Sequence, residues 1–335
     1  MLPGQEIYTF FYFYGIKGIL GIIVSSILIG ITIYKTLQIA KEYDITSYKE
    51  LLDVIIKNEK IRKIANIVIN IFILISFYVM IAGFGAYLEQ EIHLNRFDGS
   101  IILAILCFIL FRTNIEGIVK TNEILIPVLI GIILFIGICN IKNIDFVNLH
   151  DGIIPNITNI DKNVDKKSLA FSFGWLVSGV LYASYNCILV MPMLIQLKNF
   201  LNSKKEIKEA SFLVGIIVAM LMTIIYFLLI NIDIEITTIQ MPAIYAIGKI
   251  LPIMKNVYGI IILISIFTTA ISLGMSFLTN ITISLGNKYY NTISILICVS
   301  GVLFSSFGFA NLINFLYPIL GVIGFTQIMK IYLQK

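Results

Sequence analysis

The chain has 335 residues, 59% of them hydrophobic and only 13% charged, with a mean hydropathy of +0.96. That balance excludes a water-soluble globular protein and specifies an integral membrane protein, and no polar stretch is long enough for a separate soluble domain. The formal charge of +5 is read as lysines anchoring loops at an anionic membrane face, so the expected partners are the lipid bilayer and a small molecule, with no nucleic acid.

In chain order, residues 5–15, QEIYTFFYFYG, form an apolar piece too short to span, carrying Glu6, and are read as half of a helix. Nine crossings are then predicted, at about 16–37, 64–88, 99–119, 121–140, 169–195, 210–231, 257–284, 290–309 and 311–333. Cys107, Cys139, Cys187 and Cys298 all fall in apolar segments at no metal-ligand spacing and read as small buried hydrophobes. Lysine and arginine crowd the stretch Lys41–Lys63 and the loop with Lys198, Lys204, Lys205 and Lys208, which places those loops and the C-terminus in the cytoplasm of a multi-pass plasma-membrane protein. If residues 5–15 run outward, the first residue falls near the membrane midplane. The expectation is then that the inner half of the first helix is absent here, either because the start lies downstream of the true one or because the copy is defective.

Counting the half helix, five segments precede the stretch 141–168 and five follow it. An odd number per half inverts the second half relative to the first. The fold class expected is an all-α polytopic membrane protein, a five-plus-five inverted repeat whose first and sixth helices are discontinuous and whose first is truncated. Residues 1–140 are the incomplete first repeat, 141–168 an extracytoplasmic loop and 169–335 the second repeat.

Polar residues inside the apolar segments carry the functional reading. Gly4, Gln5 and Glu6 sit at the start of the half helix, where a carboxylate must be protonated, paired or functional; a glutamate solvated at an exposed N-terminus is the ordinary alternative. The following crossing but one ends AGFGAYLEQE: Gly83 and Gly85 permit close backbone approach, Glu89 and Gln90 are gating candidates, and Glu91 reads equally as a solvated carboxylate. Arg112 and Glu116, spaced i,i+4, are expected to pair.

In the sixth segment, Tyr182, Ser184, Tyr185 and Asn186 bring hydroxyl and amide groups to mid-depth before Pro192. That cluster is a binding site at a helix break or else a packing kink. An apolar run at 236–254 between Pro242 and Pro252 is too short to span and reads as a lid or as an interfacial helix. Thr268, Thr269 and Ser272 lie within little more than one turn and can complete an oxygen shell for sodium, or can bond to their own helix backbone. His93 and His150 are isolated. No catalytic residues, metal site beyond sodium, or cofactor are expected, since no nucleophile elbow, phosphate loop or HExxH spacing occurs.

The opening PGQEIYTFFYFYG, the stretch AGFGAYLEQ and the break LYASYNCILVMP together resemble the YkvI-like bacterial membrane proteins, distant members of the amino acid, polyamine and organocation transporter superfamily. In that family the first helix typically carries a break of the form GxGFASGQE, of which Gly4, Gln5 and Glu6 remain here. The resemblance implies ten helices in a five-plus-five inverted repeat, with substrate against the first and sixth helices and sodium between the first and eighth. On that basis Gly4, Gln5, Ser184 and Asn186 face the substrate and Thr268, Thr269 and Ser272 are the cation-binding candidates; Glu6, Tyr182 and Tyr185, read from the residues themselves, complete the substrate-binding candidates. The expected function is secondary active transport of a small organic solute, an amino acid or amine, coupled to Na+ or H+. The alternative is a membrane sensor or a non-transporting scaffold on the same fold, as spore germination receptor subunits illustrate.

Overall fold

In the computed structural model, residues 4–112, 116–140, 169–201, 203–230 and 239–334 are described. They form helices only: α1 (Gln5–Phe10), α2 (Ile16–Glu42), α3 (Tyr48–Ile55), α4 (Glu59–Ile92), α5 (Arg96–Leu110), α6 (Glu116–Asn140), α7 (Leu169–Leu197), α8 (Lys204–Ile230), α9 (Pro242–Ile250), α10 (Pro252–Leu285), α11 (Tyr290–Ser305) and α12 (Phe309–Leu333), with short 3-10 turns between some of them. Among the described residues six helices, α2, α4, α7, α8, α10 and α12, are long and apolar enough to cross a membrane, so the protein is a multi-pass membrane protein.

Helix ends follow local chemistry. Asn58 caps α4 by accepting from the backbone N–H groups of Lys60 and Ile61 at 3.0 and 3.2 Å, which starts this helix five residues before the predicted crossing. Its charged first turns, Glu59 to Lys63, extend beyond the apolar stretch. Asn95 caps α5 in the same way. α9 and α10 each begin with a proline, whose missing N–H costs nothing at a first helical position.

The third expected crossing, 99–119, is corrected: α5 stops at Leu110, and Arg112 turns its guanidinium over the Phe108 ring, 4.8 Å from its centroid. The polar run after Phe111 ends the helix, and the next begins at Glu116, not at 121. The side chain of Glu116 and the loop 141–168 lie outside the described residues.

A second correction concerns the sixth segment. α7 runs unbroken from Leu169 to Leu197 with Pro192 inside it. The polar side chains that were expected to open the helix instead bond back to it: Ser184 Oγ donates to Val180 O at 2.7 Å and Asn186 Nδ2 to Tyr182 O at 2.9 Å. Groups satisfied one turn away provide no reason to unwind, and proline alone removes a single hydrogen bond.

The helices pack as two groups. α1, α2, α7, α8 and α12 form one; α4, α5, α10 and α11 form the other; α6 touches α8 and α10. Lipid gives apolar surfaces no drive to associate, so close approach of small residues selects these pairs. Gly179 of α7 lies on the backbone of Gly21 in α2, Gly85 of α4 on Ser100 of α5, and Gly321 and Gly324 of α12 on the carbonyls of Leu181 and Ser184 in α7.

A feature not expected from the sequence reading is α3, a short amphipathic helix that buries Tyr48, Leu51, Leu52 and Ile55. The spacing i, i+3, i+4, i+7 after a Ser47-x-x-Glu50 capping pattern was the available signal. The Tyr48 hydroxyl oxygen accepts a close hydrogen bond from Gln327 Nε2 of α12, and burial raises its phenol above the ordinary range.

Two outcomes are expected. Thr46 holds the Glu50 carboxyl below the usual carboxylate range through its N–H and hydroxyl. A depressed folded pKa stabilises the cap fully above the ordinary glutamate range and loses that contribution as pH falls through the lowered value. Hydrogen exchange of the α3 amides should therefore rise on acidification beyond the intrinsic rate, and Glu50→Gln should remove that extra acid dependence. Separately, a Cβ at Gly324 would lie 2.6 Å from Ser184 O. Gly324→Val should cost about 1–3 kcal/mol of overpacking, read as a lowered melting temperature in detergent.

Candidate functional site

The site begins with a helix too short to satisfy itself. α1 has six residues, and the carbonyls at its end need partners that a bilayer does not supply. A neighbouring helix supplies one: Ser178 of α7 donates to Phe10 O at 2.5 Å, and past the helix Tyr226 of α8 donates at 2.5 Å to Gly15 O, which also accepts from Gly18 N. Gly15, with φ 53°, then turns the chain into α2. At the other end Gly4 has φ 87° and sits against Ala243 of α9, so close that a Cβ there would lie 2.9 Å from Ala243 N. Both the left-handed backbone and the contact require glycine.

Gln5 and Glu6 follow directly, 1% and 8% exposed. Gln5 Nε2 donates to Asn314 Oδ1 of α12 at 3.1 Å, and Thr9 Oγ1 donates to the same oxygen at 2.5 Å. Gln5 Oε1 is buried and has no hydrogen-bond partner among the described residues. Glu6 accepts a close hydrogen bond from the hydroxyl of Tyr185 in α7. Around that pair stand Tyr182, Phe10 and Tyr317: the Tyr185 ring lies 5.3 Å from Tyr182, 4.6 Å from Tyr317 and 5.6 Å from Phe10, the last nearly parallel. The carboxylate thus lies at the edge of packed aromatic rings, where little water reaches it.

Of the substrate-binding candidates, the structure therefore gathers Gly4, Gln5, Glu6, Tyr182 and Tyr185 in one place. Ser184 is buried on the side of α7 that meets Gly324, and its hydroxyl and the Asn186 amide are engaged by their own helix. The three cation-binding candidates separate. Thr268 is buried, Ser272 half-buried and Thr269 exposed, and each donates to a carbonyl of α10: Thr268 and Thr269 to Ser265 O, Ser272 to Thr268 O. Their lone pairs stay available, but Thr269 faces away from the other two.

The expected gating residues meet the short helix α9. Gln90 accepts from Met241 N at 3.0 Å and donates to Met241 O at 3.4 Å, holding the residue that precedes α9. Glu91, read from sequence equally as solvated, instead pairs with Lys255 of α10 at 2.8 Å. Glu89 pairs with Arg96, so its charge is locally balanced. Gln240 accepts from Ala310 N of α12 at 3.0 Å. α9 buries Pro242, Ala243, Ile244, Ala246 and Ile247, and so covers the start of α1 while being tied to both helix groups. His93 is an exposed left-handed cap of α4, a structural position.

Sequence reasoning missed Thr9, Asn314 and Tyr317. Asn314 and Tyr317 are spaced i,i+3 beside Pro318 in the apolar middle of α12, which was a legible polar pair.

No family model matches the chain. It is 23% identical over 334 residues to the membrane protein YkvI of Bacillus subtilis (strain 168), an alignment covering 99% of this chain and 90% of that protein. It is also 25% identical over 320 residues to YyaD of the same organism, covering 96% and 88%. The chain is a distant homologue of YkvI. The alignment to YkvI extends over both helix groups, so the resemblance is one of whole chains and is not confined to a motif.

If Gln90 latches α9, Gln90→Ala should release it. Losing the two Met241 bonds is worth about 1–2 kcal/mol, or about five- to thirtyfold in the open population. A cysteine introduced at buried Ile244 should then react correspondingly faster with a membrane-impermeant maleimide than in the Gln90 background.

Proposed function

We propose that the chain is a secondary transporter of a small organic solute, an amino acid or amine, driven by a proton or sodium gradient through alternating access. The observation that carries this reading is the buried acceptor pair at the start of α1: Gln5 Oε1, without a partner among the described residues, beside a Glu6 carboxylate, both deep in an apolar body. Buried unsatisfied acceptors persist where a ligand or water completes them, and intramembrane carboxylates mark ion or solute paths.

The helix packing supports a five-plus-five inverted repeat. The first two segments of each half, α1 and α2 with α7 and α8, share one group, and the third and fourth of each half, α4 and α5 with α10 and α11, share the other. Pairing by equal rank is what a pseudo-two-fold arrangement produces. In this reading the basic end, with α3 and the C-terminus, is cytoplasmic, and α9 closes the opposite mouth. Glu6 is the coupling carboxylate: neutral when protonated or cation-paired, it permits the two groups to re-pack, and charged alone it resists burial. Thr268 and Ser272, on one face of α10, are the remaining sodium ligands.

A second reading, a sensor or scaffold that does not transport, is favoured by the unbroken α7, because the transporter reading expects an opened helix there. Reconstitution decides between them. Proteoliposomes are loaded with a panel of labelled amino acids and amines under separate proton and sodium gradients. Expected is gradient-driven accumulation of at least one solute, with Glu6→Gln retaining counterflow while losing accumulation. Folded protein that moves no solute under either gradient sinks transport and leaves the sensor reading.

A further inference from the structure

Away from the candidate site, α5 and α11 lie side by side at the edge of the second helix group, antiparallel, with Tyr290 at the start of α11 donating to Phe111 O at the end of α5 at 2.7 Å. With 15 and 16 residues they are about 22–24 Å long, short of the roughly 30 Å of bilayer hydrocarbon. Between them runs an open trough of about 400 Å³, apolar throughout, walled by Ile101, Ile105 and Phe108 of α5 and Ile295, Val299 and Leu303 of α11. At the α4–α5 end a second hollow of about 320 Å³, formed by Glu89, Asn95, Arg96, Ser305 and Ser306, adjoins it across Phe97, which lines both.

We propose that this trough and the adjoining notch form a binding site for one phospholipid with an ethanolamine headgroup, from the leaflet on the α4–α5 side. Length selects an acyl chain over a partner helix. From Phe97 to Phe108 is about 16 Å along α5, close to one leaflet and about half of what a spanning helix of another chain would need. The cationic Arg112 over Phe108 closes the far end to hydrocarbon.

Charge selects the headgroup. Arg96 engages Glu89 Oε2 through Nε and Nη2, leaving Nη1 on the Gly308 side to donate to a phosphate. Glu89 remains exposed enough to receive an ammonium, and the exposed Ser306 hydroxyl, its proton given to Leu303 O at 2.8 Å, presents an acceptor. Donor and acceptors so placed complement a phosphate and an ammonium a few atoms apart. A lipid seated here also fills the thickness deficit that two short helices leave at this face.

The test uses the full chain in nanodiscs with phosphatidylethanolamine bearing a diazirine in its acyl chain, and peptide-level mass spectrometry after irradiation. Expected is labelling concentrated on α5 and α11, about tenfold above the exposed apolar face of α8 at Phe212, Leu213 and Ile216, displaced by unlabelled phosphatidylethanolamine better than by phosphatidylglycerol. Val299→Trp and Ile105→Trp, both at exposed positions where added bulk enters the trough and not the core, should each reduce it about tenfold without lowering the melting temperature. Uniform labelling around the protein, or labelling untouched by both tryptophans, would overturn the site. Equal displacement by phosphatidylglycerol would overturn the headgroup assignment. A dimer in detergent that Val299→Trp dissociates would show a second copy occupying the trough.

Discussion

In hydrocarbon, every backbone polar group must find its partner inside the protein, and α1 is where this chain meets that demand at greatest expense. A six-residue helix cannot close its own hydrogen bonds, so the structure around it is arranged to do so. Ser178 and Tyr226 reach across from α7 and α8 to the carbonyls of Phe10 and Gly15, Tyr185 reaches the Glu6 carboxylate, and Asn314 takes the Gln5 amide. Three different helices are thereby committed to one short segment. An uninterrupted helix over the same residues would not need the Ser178 and Tyr226 hydroxyls to satisfy its backbone.

Closure above the segment follows from the same constraint. α9 is held at its start, where Gln90 of α4 bonds the backbone of Met241 and the Gln240 side chain accepts from Ala310 N of α12. Such bonds are individually weak and reversible, worth about 1 kcal/mol each, in contrast to the many apolar and small-residue contacts along α2 and α7. The molecule thus combines firmly packed pairs within each helix group with an easily broken tie across them. Gly4 against Ala243 makes the lid and the start of α1 mechanically adjacent, so movement of one is felt by the other.

Much of this was legible in the sequence, and the exceptions share a cause. Membrane insertion, the long crossings and the short piece at 5–15 are fixed by runs of apolar residues against a known bilayer thickness. Gly85 was recognisable as a close-approach position, and Glu6 as a carboxylate that must be protonated, paired or functional if it lies within the membrane. The break expected in the sixth segment was not found, because sequence shows that Ser184 and Asn186 are polar but not where they bond; Val180 and Tyr182 carbonyls, one turn back, win that competition. Likewise Thr269 shares a turn with Thr268, yet a rotation of 100° per residue turns it outward. Asn314 and Tyr317 went unassigned because their importance lies in contacts separated by about 300 and 130 residues in sequence, to Gln5 and to Tyr185.

These departures bear on how the site would work. In a fold with two broken helices, exposed backbone of both can clasp a ligand; with α7 continuous, that half of the clasp must come from side chains. The side chains present on that face are phenols, Tyr182 and Tyr185, joined by Tyr317 from α12, and not backbone carbonyls. Phenol hydroxyls both donate and accept, and their rings attract cations, so they can accommodate a carboxylate that changes its protonation or its partner without any helix unwinding. In the proposed transporter, the contacts that a broken helix would make with its backbone would fall to three tyrosines and one glutamate. A ligand held in this way meets a wall that is rigid in its backbone and adjustable only in where its hydroxyl protons point.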